Sequence, residues 1–159
     1  MKRWEKEGIV EISDLPLPDE KYLKKGVAII ECVQEIPCNP CVDACPFNAI
    51  SMEDINALPS INYEKCVGCG KCVEVCPGLA IFVVKVIEDN AILTLPYEFI
   101  PLPEEGQSVK ALDREGKEIC DAVVKKVKVG KTPVITIELP AEYAMEARNI
   151  KLNKRREEK

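Results

Sequence analysis

Thiolate is the only common soft metal ligand that this sequence offers: its 159 residues include nine cysteines and no histidine. Seven of the nine lie between Cys38 and Cys76, with Cys32 just before them and Cys120 far behind. In a reducing compartment such uneven clustering points to metal binding rather than to a disulfide framework. The missing histidine excludes Rieske-type ligation, His-bearing zinc sites, Ser-His-Asp or Cys-His catalysis and histidine-ligated haem.

Cys66, Cys69, Cys72, Cys76 and Pro77 form a complete CxxCxxCxxxCP run. In that spacing three close thiolates wrap one face of a [4Fe–4S] cubane, while the fourth, displaced by a short helical turn, points away and ligates another cluster. Gly68 and Gly70 stand between the ligands, where a residue without Cβ lets the backbone approach the cluster and aim N–H groups at its sulfurs. The chain also repeats itself: Cys38, Cys41, Cys45, Pro46, Ala49 and Ile50 align with Cys69, Cys72, Cys76, Pro77, Ala80 and Ile81. Two pseudo-symmetric halves are expected, each a strand, a ligand loop, a short helix after the proline and a second strand.

The first half departs from the second. Its first ligand position, counted back from Cys38, is Glu35, and Cys32 lies three residues earlier, at the place that aligns with Tyr63. Crossing the fourth cysteines assigns cluster one to Cys38, Cys41, Cys76 and Cys32, and cluster two to Cys66, Cys69, Cys72 and Cys45. For cluster one two alternatives stay open: Glu35 as an oxygen ligand, or a [3Fe–4S] cluster on three cysteines with Cys32 as a buried strand residue. Paired zinc sites also use CxxC, but the CxxxCP endings favour cubanes. No CxxxCxxC spacing of the radical type occurs, and no third glycine or phosphate loop extends GlyCysGly into a nucleotide site. Cys120 reads as a small buried hydrophobe on a strand. Tyr63, Phe47 and Phe82 flank the ligands as water-excluding or core residues, and Lys65, Lys71 and Glu74 read as solvent-facing charges, Lys71 with a possible docking role.

The elements around these ligands divide the chain into four parts: an N-terminal extension (1–26), a two-cluster domain (27–87), a small β-rich domain (88–150) and a charged tail (151–159). The extension is polar and punctuated by Pro16 and Pro18, as a leader that wraps over a neighbouring surface would be. Val27 to Ile30 reads as a strand that delivers the chain to the cysteines. Ala91 to Leu95, Ser108 to Leu112, Ala122 to Val129 and Pro133 to Leu139 are the strands expected later, with turns at 113–116 and Gly130 and a short helix after Pro140. The two-cluster part is only about sixty residues, so ligation is expected to supply stability, and iron removal to unfold 27–87.

Composition fits a folded protein, 47% hydrophobic, whose net charge of −5 disfavours nucleic acid or an anionic membrane as main partner. No run approaches the ~20 apolar residues of a membrane helix and no signal peptide is evident, so a cytoplasmic location is expected.

Cys38 to Ile81 resembles the two-cluster bacterial-type ferredoxins, which implies an α+β, ferredoxin-like fold and a role in electron transfer. The segment 30–41 and the β-rich continuation also resemble the small iron–sulfur subunits of FAD-dependent dehydrogenases. That resemblance implies a relay: a flavoprotein dehydrogenase subunit gives up electrons singly, and the clusters pass them to an external acceptor, with the flavin on the partner and no substrate site on this chain. An independent ferredoxin with an appended β-domain is the alternative, and a non-redox iron–sulfur or zinc protein a third. Catalysis by the chain alone is not expected, since it offers no histidine, nucleotide loop or paired-carboxylate motif.

Overall fold

The structure is a computed structural model, described here for residues 1–153. The lysine- and arginine-rich end of the expected charged tail, 154–159, lies outside the described residues. Helices α1 (Arg3–Glu7) and α2 (Glu20–Lys25) precede strand β1 (Val27–Ile30); α3 (Pro40–Ala44), β2 (Ile50–Ser51), β3 (Ser60–Ile61) and α4 (Lys71–Val75) carry the cysteine region. The strands β4 (Ile81–Ile87), β5 (Asn90–Pro96), β6 (Ser108–Leu112), β7 (Glu118–Lys128), β8 (Val134–Pro140) and β9 (Asn149–Leu152) follow. The protein is α+β.

Seven strands form one antiparallel sheet in the order β1-β4-β5-β8-β7-β6-β9, and β2 pairs with β3 in a small second ribbon. Alternation explains the later strands: Ala91, Leu93 and Leu95 of β5, and Ala122 and Val124 of β7, are buried while residues between them are less so. β4 differs, with Ile81 to Val84 all buried, because β4 carries α2 and α4 against it. The boundary expected between residues 87 and 88 falls inside the β4–β5 hairpin, so strands from both sides of it share the sheet.

Two local expectations are corrected. The short helices do not follow Pro46 and Pro77; they precede them, ending at Cys45 and Cys76 in extended backbone. The residue before a proline is pushed out of the helical region, so each proline stops the helix instead of starting one. Beyond Pro140 there is only a 3-10 turn, Ala141–Tyr143, after which the chain returns as β9, a strand the β-branched pattern did not reveal. The N-terminal extension is also more structured than a plain leader. Tyr22 stacks on Tyr63 with ring centroids 5.6 Å apart, Lys25 Nζ donates to the carbonyls of Tyr63 and Glu64, and Arg3 pairs with Glu115.

Candidate metal centre

The two halves of the repeat superpose in their bonding as well as their spelling. After each helix the chain turns through a residue of positive φ, Asn48 at 53° and Leu79 at 52°. The amide of Ala49 then donates to Cys45 Sγ at 3.4 Å, and that of Ala80 to Cys76 Sγ at 3.4 Å. The amide of Ala28 donates to Cys66 Sγ at 3.3 Å. Three sulfurs therefore already receive backbone N–H groups, the donors that favour an electron-rich sulfur.

Thiols gather around two separate cavities. One is lined by Cys45, Cys66, Cys69 and Cys72 together with Phe47 and Lys71. The other is lined by Cys32, Cys38, Cys41 and Cys76 with Ile36 and Pro59. Cys45 and Cys76 have each crossed to the cavity of the opposite half. Glu35 is exposed and does not line either cavity. Four soft thiols line each cavity, a donor set whose chemistry fits an iron–sulfur cluster.

Gly68 shows why the loop needs glycine. Its φ is +70°, and a Cβ there would meet the carbonyl oxygen of Gly26 at 2.8 Å. The cavity walls are mostly apolar, and burial pushes the thiols of Cys41 and Cys72 up to about 11 and about 12; Cys32 is raised too, again by burial. Metal must displace those protons, since the thiolate is the ligand. Of the nine cysteines Cys69 is the exposed one.

Phe47 and Lys71 line the first cavity, whereas Tyr63 and Phe82 line neither: Tyr63 stacks on Tyr22, and Phe82 lies under Arg148, whose guanidinium is 5.1 Å from the ring centroid. Lys65 is exposed, and Glu74 pairs with Lys128. Cys120 sits part-buried on β7 opposite Ala111, outside both cavities. Sequence reasoning missed Glu31 and Arg148, the two buried charged residues among those described, and Arg114, which joins them. Only the charge of Glu31 beside Cys32, next to an apolar strand, could have signalled them.

Residues 31–85 match the 4Fe-4S dicluster domain family. This stretch is an iron–sulfur ferredoxin domain. Over 47 residues the chain is 51% identical to the polyferredoxin-like subunit of an aliphatic sulfonate oxidoreductase from Pyrococcus furiosus, a match covering 30% of this chain and 27% of that protein. Over 83 residues it is 34% identical to an uncharacterized ferredoxin of Methanocaldococcus jannaschii, covering 52% of this chain and 54% of the relative. The chain thus spans about half the length of one of these relatives and about a quarter of the other. No solved structure matches it significantly. The family match and these relatives support an iron–sulfur, electron-transfer role for residues 31–85. Among the described residues no helix is long and apolar enough to cross a membrane.

Proposed function

We propose that this chain is the electron-transfer subunit of a larger oxidoreductase, relaying single electrons through two cubane clusters between a flavoprotein dehydrogenase subunit and an external acceptor. The observation that carries the reading is the pair of four-thiol cavities, each completed by a cysteine from the other half of the repeat. When bound, the clusters supply the one-electron chemistry that no side chain here provides.

The residues of the chain do the holding and insulating. Cys32, Cys38, Cys41 and Cys76 would hold cluster one, and Cys45, Cys66, Cys69 and Cys72 cluster two. Cys32 is favoured over Glu35 because it lines the cavity, and its presence there favours four irons over three. The amides of Ala28, Ala49 and Ala80 stabilise negative charge on three of the sulfurs. Buried Ile30 and Ile81 keep water from the side of cluster one that they line, while exposed Cys69 offers an approach to cluster two for a redox partner. The fold proposed for 27–87 is ferredoxin-like, continued through the β4–β5 hairpin by the β-rich part, 88–150.

A subunit role is supported by the naming of the Pyrococcus relative as part of an oxidoreductase. Gentle native purification under anaerobic conditions tests it. Co-elution with a flavin-bearing subunit whose substrate reduces the clusters is expected. A lone monomer that accepts electrons from unrelated donors would instead make it an independent ferredoxin.

A further inference from the structure

The displaced cysteine of the first half raises a physical question. Between Cys32 and Cys38 lie five residues, whereas between Cys66 and Cys69 lie two, so Cys32 is not held by a tight ligand loop. The equivalent positions diverge just before it. Glu31 and Asn62 occupy the same place in the repeat, and their amides donate to equivalent carbonyls, Ala80 and Ala49, both at 2.7 Å. From there Asn62 builds a local turn: its Oδ1 accepts the amide of Glu64 at 3.0 Å, and its carbonyl accepts those of Lys65 and Cys66, each at 3.2 Å. The ligand Cys66 is thus aimed by short-range bonds. Glu31 makes no such turn.

Instead the carboxylate of Glu31 is buried and gripped from two distant segments. Arg114 donates to Glu31 Oε1 through Nε at 2.9 Å and through Nη2, and Arg148 Nε donates to Oε2 at 3.2 Å. Each arginine is itself fixed. Arg114 stands in the β6–β7 turn, where Asp113 Oδ1 accepts the amides of Glu115 and Lys117, both at 2.9 Å. Arg148 precedes β9, its amide bonded to Leu112 and its Nη1 donating to the carbonyls of Ala144 at 2.9 Å and Ala147 at 2.6 Å. Side-chain exposures of 6%, 13% and 4% for Glu31, Arg114 and Arg148 leave the charges largely shielded at the wall of an open cleft, where pairing fixes geometry and an unpaired charge is costly.

We infer that Arg114 and Arg148 are positioning residues for cluster one: through Glu31 they set the adjacent Cys32 as its fourth ligand, replacing the local turn that aims Cys66 in the other half. The β-rich part then has a direct task at the metal site, because it supplies both arginines. The inference rests on the reading of Cys32 as a ligand.

Residue-resolved alkylation of the anaerobically loaded full chain tests it, followed by mass spectrometry, with iron counted in parallel. In the unaltered protein Cys32 and Cys66 should both be protected. In Arg114→Met and in Arg148→Met, alkylation of Cys32 should rise by about tenfold or more while Cys66 stays protected, in line with the usual cost of losing a partner that orients a metal ligand. Arg114→Lys, which keeps the charge, should restore much of the protection. A general loss of stability would expose both cysteines alike, and that result, or unchanged protection of Cys32 in both variants, overturns the inference. Should Arg148→Met not fold, Arg114→Met carries the test, since it leaves Arg148 on Glu31. Ready alkylation of Cys32 in the unaltered protein with Cys66 protected would sink the inference and spare the relay, whereas absence of iron and sulfide would sink the relay itself.

Discussion

Cys45 lines the cavity of Cys66 and not that of Cys41, its neighbour one helical turn earlier. The crossing means that a single substitution should damage the cluster of the opposite half. Cys45→Ala is expected to disturb the site of Cys66, Cys69 and Cys72 and leave that of Cys38 and Cys41 intact; Cys76→Ala should do the reverse. Thiol protection in the loaded variants distinguishes the two patterns, and exposure of Cys38 and Cys41 in Cys45→Ala would refute the crossed assignment.

Gly68→Ala should be destabilising. The new Cβ would stand 2.8 Å from a backbone carbonyl oxygen, in a conformation of positive φ that alanine avoids, so a loss of about 1–3 kcal/mol is expected. Gly70→Ala should cost less: its φ is also positive, but the nearest atom, Thr94 Cγ2, is 3.7 Å away. Denaturant melts of the loaded proteins rank the two, and equal losses would show that crowding at Gly26 is unimportant.

Because β1 and β4 belong to the seven-stranded sheet, iron removal should melt the ligand loops between them without dissolving the sheet, a narrower loss than the unfolding of 27–87 expected from length alone. The loops between β1 and β4 hold only short elements around two cavities, whereas β5 to β8 bury Leu93, Leu95, Ile135 and Ile137 completely. Hydrogen exchange on the iron-free protein should therefore lose protection between residues 32 and 80 and keep it in β5, β7 and β8. Retained protection throughout would mean that packing alone supports the loops.

Acid should strip the clusters. Cys41 and Cys72 bind their protons more tightly than ordinary thiols, to about 11 and about 12, because burial disfavours the thiolate. A proton and a metal compete for the same sulfur, so lowering pH favours the metal-free form and raising it favours the loaded one. Cluster absorbance should fall as pH is lowered from 8 to 5; an unchanged spectrum would place ligation outside this competition.

The cavities were legible in the cysteine spacing because cluster ligation is a short-range demand: three thiolates within one loop, and a fourth just before a proline. Strands such as Val27–Ile30 and Ser108–Leu112 were legible for a similar reason, since alternation or a β-branched run is local. The helices before Pro46 and Pro77 are harder to place from sequence, because a proline can open a helix, as Pro40 does, or stop one, as Pro46 and Pro77 do. β9 escaped because Asn149–Leu152 owes its strand to pairing with β6, and the Glu31–Arg114–Arg148 cluster because its members lie 83 and 117 residues apart along the chain from Glu31. No window of sequence contains either relationship.

Iron, acid-labile sulfide and zinc should be quantified in anaerobically purified protein, with EPR spectra recorded before and after dithionite reduction. The account predicts about eight irons and a matching amount of sulfide per chain, with two interacting cubane signals on reduction. About seven irons with a signal in the oxidised state would remove Cys32 from cluster one, and zinc without sulfide would contradict the electron-transfer account outright.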